Sequence, residues 1–329
     1  MNKSLLVGLG LLGLSGAASA QLSLYGLADV CYGRSLYSDL FGVKADLHSG
    51  GDNGSSECNS TTRVGIKGST DVGSNVKVNF KFETGGITSD GRVTYDAIQD
   101  EEGAFFNRQA WLGLSGAFGE VRVGRQDSVP FQVMGDFDFN GQSNGVSAGA
   151  YSGVGVFNRG RQSRSLQYIA PAMGGLTGQV GIRPKGNSQD GDKTVFSVGG
   201  KYAAGPLLVG ASYQSKTDSL VKDDFFSLAA SWDFGVAKVM AGYADGGDVA
   251  DGGSGKGPSL GVNVPLAGFN VGAILAKNSD DAAKITSYEL FLNKEVFKNT
   301  YGYVEAGRWK ESNSNTKASG YAVGLIYVF

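Results

Sequence analysis

The sequence predicts an all-β fold, a 16-stranded antiparallel transmembrane β-barrel, and three observations carry that prediction. The chain ends on nine uncharged residues, Tyr321-Ala-Val-Gly-Leu-Ile-Tyr-Val-Phe329. Tyr321, Val323, Leu325, Tyr327 and Phe329 share one face of this segment, and Ala322, Gly324, Ile326 and Val328 share the other. A terminal strand with a free apolar face is an aggregation hazard in water. The hazard disappears when the strand closes a barrel whose apolar face meets lipid. From Gln21 onward, segments of about ten alternating residues are separated by connections that are alternately short and long, the texture of barrel strands. The composition agrees: 53 glycines, 6 prolines and 11% aromatic residues suit a barrel with an apolar outside and a polar lumen. The 29 basic side chains against 31 acidic ones are too balanced to imply nucleic acid or a polybasic membrane anchor.

The elements follow in order. Residues 1–20 read as a secretory signal peptide: Met1-Asn-Lys3 is a positive start, the run from Leu5 to Leu14 is apolar, and Ala18-Ser-Ala20 is a small-residue cleavage site. The barrel domain is then 21–329. Its first strand, Leu22 to Val30, pairs with the terminal strand and removes both edges. Val64-Gly-Ile-Lys-Gly-Ser69 runs into the tight turn Asp71-Val-Gly-Ser-Asn75, and the chain returns at once. On the return strand Val76, Val78, Phe80 and Phe82 share one face, and Lys77, Asn79, Lys81 and Glu83 share the other. Further short turns fall at 116–119, 171–175, 203–206, 233–235, 266–268 and 294–299. Long polar loops fall near 34–61, 85–104, 127–160, 184–193, 215–224, 245–257, 277–283 and 309–318. This alternation of short turns and long loops yields sixteen strands, an even number, as in single-chain outer-membrane barrels.

Three stretches resemble one family. Phe106-Asn-Arg-Gln-Ala-Trp-Leu-Gly-Leu-Ser-Gly-Ala-Phe-Gly-Glu-Val-Arg-Val-Gly-Arg125 is similar to the fourth-to-fifth strand hairpin of the beta-proteobacterial general porins, the neisserial and Comamonas-type group. Thr62-Arg-Val-Gly-Ile-Lys-Gly-Ser-Thr-Asp-Val-Gly73 resembles their second strand and turn. Ser165-Leu-Gln-Tyr-Ile-Ala-Pro-Ala-Met-Gly-Gly-Leu176 resembles the strand and turn after their constriction loop. The resemblance implies a homotrimer of sixteen-stranded barrels. It implies passive diffusion of ions and small hydrophilic solutes across the bacterial outer membrane. It also implies that the third long loop, 127–160, folds into the lumen and narrows it. The partners it implies are outer-membrane lipid and lipopolysaccharide, small ions and solutes, and the barrel-assembly machinery, with no cofactor and no nucleic acid. Two features depart from the family: Ile169-Ala-Pro-Ala-Met173 stands where many relatives are acidic, and the cysteine pair is not a general feature.

Strand parity turns Arg63, Lys67, Lys77, Lys81, Arg122 and Arg183 towards the lumen. Arg108 shares the parity of Ala110 and Leu112 and is ambiguous. Arg159, Arg161 and Arg164 close the third loop, and Asp127, Asp136 and Asp138 lie along it. A basic wall facing a partly acidic loop sets up a transverse field in a narrow aqueous pore, where charge decides ion preference. The expected preference is for anions. A channel selective for organic acids or phosphate is the alternative. A barrel enzyme or adhesin fits less well, because His48 is the only histidine and reads as a solvated loop residue, and no His/Cys/Asp cluster has metal-ligand spacing. Cys31 ends near the outer rim of the first strand, and Cys58 precedes the second strand at the same rim. In an exported chain this predicts a disulfide.

Overall fold

The computed structural model describes residues 21–93, 104–141, 144–157, 160–186, 193–216, 223–247 and 254–329. The expected signal peptide lies outside these residues. Seventeen strands occur among them: β1 (Gln21–Arg34), β2 (Asp46–Ser49), β3 (Arg63–Gly73), β4 (Val76–Gly85), β5 (Gln109–Gly116), β6 (Gly119–Asp127), β7 (Arg161–Ile169), β8 (Leu176–Arg183), β9 (Val195–Ala204), β10 (Leu207–Gln214), β11 (Phe225–Asp233), β12 (Lys238–Asp245), β13 (Lys256–Leu266), β14 (Phe269–Lys277), β15 (Ile285–Phe297), β16 (Thr300–Glu311) and β17 (Lys317–Val328). Sixteen of them form a closed antiparallel barrel, each paired with its neighbours in the chain and β17 paired back onto β1. The extra strand, β2, belongs to the first long loop and lies against the upper half of β1.

Closure is a matter of register. Leu27 to Arg34 of β1 pair with Val328 to Tyr321, while Gln21 to Leu27 pair with Ser69 to Arg63 of β3. Phe329 continues the ladder by exchanging backbone hydrogen bonds with Gly26. Its ring lies over Gly26, where a Cβ would come within 2.3 Å of it. Tyr321, Val323, Leu325, Tyr327 and Phe329 are all exposed, while Ala318, Gly320 and Ala322 are buried and Gly324 and Ile326 half-buried. This alternation gives every strand an apolar face, suited to lipid, and a second, more polar face.

Turn chemistry explains the tight ends. Ser74 and Asn75 have φ of 55° and 59°, and Ala267 and Gly268 have 51° and 79°. Both turns thus have the paired positive φ that matches the twist of the strands they join. The long connections start at the opposite strand ends. The first two run a little further than expected, to β3 at Arg63 and to β5 at Gln109. His48 departs from its expectation. It sits in β2 opposite Cys31, its side chain is only 11% exposed, and its Nδ1 lies 3.6 Å from Asp52. Pairing with β1 takes it out of solvent.

Candidate functional site

Two regions of the second face differ in what their sequence supplies. On β1 and β3 to β6 the face is charged. Glu83 of β4 is its hub. Tyr25 Oη donates to Glu83 Oε2 at 2.7 Å, Arg108 Nε donates to Oε1 at 2.6 Å, and Lys81 Nζ lies 3.5 Å from Oε2. Lys67 and Lys81 hold their ammonium groups 5.2 and 5.5 Å from the centre of the Tyr25 ring. Arg63 donates to Ser60 Oγ at 3.4 Å and the Thr61 carbonyl at 3.2 Å. Arg122 pairs with Glu120 at 2.6 Å and stacks 4.5 Å from the Trp111 ring. Arg161 pairs with Asp127 at 3.1 Å. Six of the expected cations therefore meet three carboxylates, and the surplus is positive.

Arg108 resolves by lying just outside β5, where strand parity does not bind it. Gly85 makes the room, since a Cβ there would come within 2.2 Å of Arg108 Cδ. Arg164 lies on β7 and shares the exposed face of Leu166 and Tyr168. It sits at a bulge where β7 slips against β6, with φ of 55°. It is exposed beside Ser165, whose buried hydroxyl accepts from Gln126 Nε2. Lys77 is exposed near the short-turn end of β4, and Arg183 ends β8. Arg159 lies outside the described residues.

On β8 to β17 the second face is built of small residues, and the third loop packs on it. Ser128 caps a short helix, Val129–Met134, by accepting from the Phe131 amide, with Pro130 in its first turn. A 3-10 turn, Gly135–Phe137, follows, and a second helix, Ala148–Ser152, is capped by Ser147 and ends at Gly153. Val129, Val133, Met134, Phe137, Val154, Val156 and Phe157 of the loop form one apolar cluster with wall residues such as Phe225, Met240, Ile274 and Phe291. Glycines in the wall receive the loop. A Cβ at Gly210 would come within 2.6 Å of Phe137, at Gly242 within 2.8 Å of Val156, and at Gly307 within 2.8 Å of Val146.

Two buried carboxylates fasten the loop to this seat. Glu289 accepts from Asn140 Nδ2 at 2.6 Å, Asn144 Nδ2 at 3.1 Å and the Ala148 amide at 2.9 Å. Glu305 accepts from Asn140 Nδ2 at 3.0 Å and from Asn59 Nδ2 of the first loop at 2.8 Å. The first and third loops also join through their backbones, Gly145 N–H donating to the Cys58 carbonyl at 3.0 Å and Leu36 N–H to the Gly145 carbonyl at 2.9 Å. Cys58 is bonded to Cys31, with their Cα atoms 5.7 Å apart.

Of the loop acids, Asp127 stays with Arg161 at the charged wall, and the other two lie elsewhere. Asp136 pairs with Lys201 of β9 at 2.5 Å. Asp138 accepts from the Asn140 amide at 3.0 Å, and burial raises its carboxyl above the usual range, to about 6. The central carboxylate among the wall cations is Glu83, which strand parity had placed on the polar face beside Lys81 but which was not among the predicted site residues. Glu289 and Glu305 were also missed. Their signal was a lone acid between Ser287 and Phe291 and between Tyr303 and Gly307, positions where a buried charge requires partners.

The comparisons agree with this architecture. The sequence profile described as Gram-negative porin matches residues 6–327. The chain belongs to the Gram-negative porin family. It is 27% identical to an outer membrane porin protein of Bordetella pertussis, over 99% of this chain and 90% of the relative. It is 31% identical to outer membrane porin protein 32 of Delftia acidovorans, over 73% of this chain and 68% of the relative. The anion-selective porin from Comamonas acidovorans superposes with a TM-score of 0.71 at 21% identity, covering 94% of this chain and 100% of that structure. As a member of this family the chain is an outer-membrane channel, and porins are passive channels rather than enzymes.

Proposed function

We propose that this porin is a passive, anion-preferring diffusion channel for ions and small hydrophilic solutes. The third loop folds into the lumen, and the charged wall of β1 and β3 to β6 sets the selectivity. One observation carries the reading: six cations share a wall with three carboxylates, while Asp136 pairs with Lys201 of β9 and Asp138 accepts from Asn140 of its own loop. The loop's contacts with wall residues opposite the exposed apolar face support its place inside the barrel. Excess fixed cations in a narrow aqueous passage concentrate anions there, and low-dielectric walls focus the field. The likeness to the anion-selective Comamonas porin is in keeping with this preference. The assembled unit is a homotrimer with one pore per chain.

Planar-bilayer recording of the purified protein tests the reading. Ohmic openings in groups of three, with a reversal potential of anionic sign in a salt gradient, are expected. A barrel that inserts without conducting would overturn it, and a cationic reversal potential would transfer control to the loop acids.

A further inference from the structure

Two wall cations and the central carboxylate meet one aromatic ring, and register places it there. Tyr25 of β1 stands directly opposite Gly65 of β3, and Gly65 stands opposite Glu83 of β4, so one row crosses three strands. The middle residue of that row has no side chain. A Cβ at Gly65 would come within 2.5 Å of Tyr25 Oη, so the phenol lies across β3 and reaches the carboxylate on the strand beyond. The next row towards the short turn holds Ser23, Lys67 and Lys81. Its two lysines are directly opposite each other, an arrangement that repels. Both ammonium groups sit over the Tyr25 ring, 5.2 and 5.5 Å from its centre, where the negative face of the ring attracts them.

This contact decides which charges the wall displays. Tyr25 Oη and Lys81 Nζ share Glu83 Oε2, the hydroxyl at 2.7 Å and the ammonium at 3.5 Å. Arg108 Nε takes the other oxygen at 2.6 Å. Both carboxylate oxygens are engaged, and the Glu83 side chain is only 5% exposed. The lysines are less covered: the Lys81 side chain is 28% exposed, and Lys67 is fully in the exposed class. Among the described residues, no ion pair joins Lys67 to an acid. The wall therefore shows its lysines and hides its central carboxylate.

We propose that Tyr25 is a positioning residue for ion selectivity: it keeps Glu83 covered and holds Lys67 and Lys81 out from the wall. Its hydroxyl fills the place on Oε2 that Lys81 would otherwise take, through a charge-assisted hydrogen bond. Without the hydroxyl, Lys81 closes on Oε2 and is drawn back to the wall. Without the ring as well, the carboxylate is uncovered and the two ammonium groups lose their shared seat. Either change weakens the positive field that the wall presents. The role rests on the proposed passage of ions along this wall, and it gives an uncharged side chain a part in setting their preference.

Reversal potentials of the full-length protein in planar bilayers under a potassium chloride gradient test the role. Y25F keeps the ring over Gly65, and with it the packing, and deletes only the hydroxyl. Its anion-over-cation permeability ratio should fall about twofold. Y25L deletes ring and hydroxyl, and the ratio should fall about fivefold, the order carried by one unit charge at ~4 Å in water. In an E83Q background Y25F should leave the ratio unmoved, because the partner of the hydroxyl is gone. An unchanged ratio in Y25F would overturn the proposal, whatever sign the unsubstituted protein shows. An equal shift from Y25F with and without the Glu83 carboxylate would overturn it too, since the effect would then be one of packing. A cationic reversal potential of the unsubstituted protein, made more cationic by Y25F, would remove the anion-preferring reading and keep the positioning role.

Discussion

The charged wall and the loop seat are made from the same strand geometry, yet they achieve order in opposite ways. On β3 to β6 the second face carries long cationic side chains gathered around Glu83. On β8 to β17 it carries glycine and other small residues, and the space is filled by the loop's own Val, Met and Phe side chains. The wall is held by ion pairs and hydrogen bonds around Glu83, whose side chain is only 5% exposed. The seat is held by burial and by two carboxylates out of water, whose amide partners are costly to remove. The fixed arrangement of the loop therefore depends on the seat, and the proposed ion preference on the wall.

This contrast can be broken from the seat side with the largest effect. Glu305→Leu removes the acceptor that the Asn59 and Asn140 amides share and should cost about 3 kcal/mol of loop stability. Faster amide exchange across 129–157 and noisy single-channel currents are the expected readouts. Unchanged exchange would show that Glu289 alone suffices. The Cys31–Cys58 bridge pins the first loop, whose Asn59 lies on the seam between wall and seat. Cys31→Ser/Cys58→Ser should cost a comparable amount, about 3 kcal/mol by loop entropy. Free-thiol labelling of denatured, unreduced protein should find no reactive thiol, and two per chain would refute the bridge. A smaller loss, about 2 kcal/mol, is expected for Gly210→Val, because the added methyls meet the Phe137 ring and overpack a filled space.

The wall is probed by selectivity rather than stability. Removing one fixed charge from a passage at ~4 Å in water changes an ion's energy by about 1 kcal/mol, roughly fivefold in permeability ratio. Arg63→Ala and Arg108→Ala should each shift the reversal potential towards cations by that order, and Glu83→Gln should shift it towards anions. Arg164→Ala, on its exposed bulge, should leave it unmoved. A shift equal to that of Arg63→Ala would extend the selectivity region across β7. The smallest effect concerns pH. The carboxyl of Asp138 is raised from 3.8 to about 6, so its protonated form favours the folded loop. That contribution is full below about pH 4 and is lost as pH rises through 6. Amide exchange in the loop should therefore quicken between pH 5 and 7, and Asp138→Asn should flatten the change.

What the sequence made legible was what local geometry decides. Period-two alternation and turns such as Ser74-Asn75 placed all sixteen barrel strands, because each signal lies within about ten residues. Parity failed for Arg108 because that residue lies one position before its strand, and a glycine on β4 settles its direction. The loop acids were placed along the third loop, but their partners could not be read there. Asp136 meets Lys201, 65 residues away, and no short-range pattern encodes such a contact. Glu289 and Glu305 escaped notice for the same reason: their amide partners stand 141 to 246 residues away along the chain.

The register of β1 has a consequence in time. Its lower half pairs with β3, and its upper half waits for Val328 and Tyr321 at the far end of the chain. The loop's anchors, Glu289 and Glu305, and its glycine seats at Gly307 and Gly320 also lie within the last fifty residues. Neither the seam nor the seat exists until nearly all of the polypeptide has been delivered. Such long-range pairing is slow and leaves unpaired edges exposed while it proceeds. Loss of the final strand would therefore be felt at both places together: the first strand would remain an open edge, and the loop would lose part of its bed.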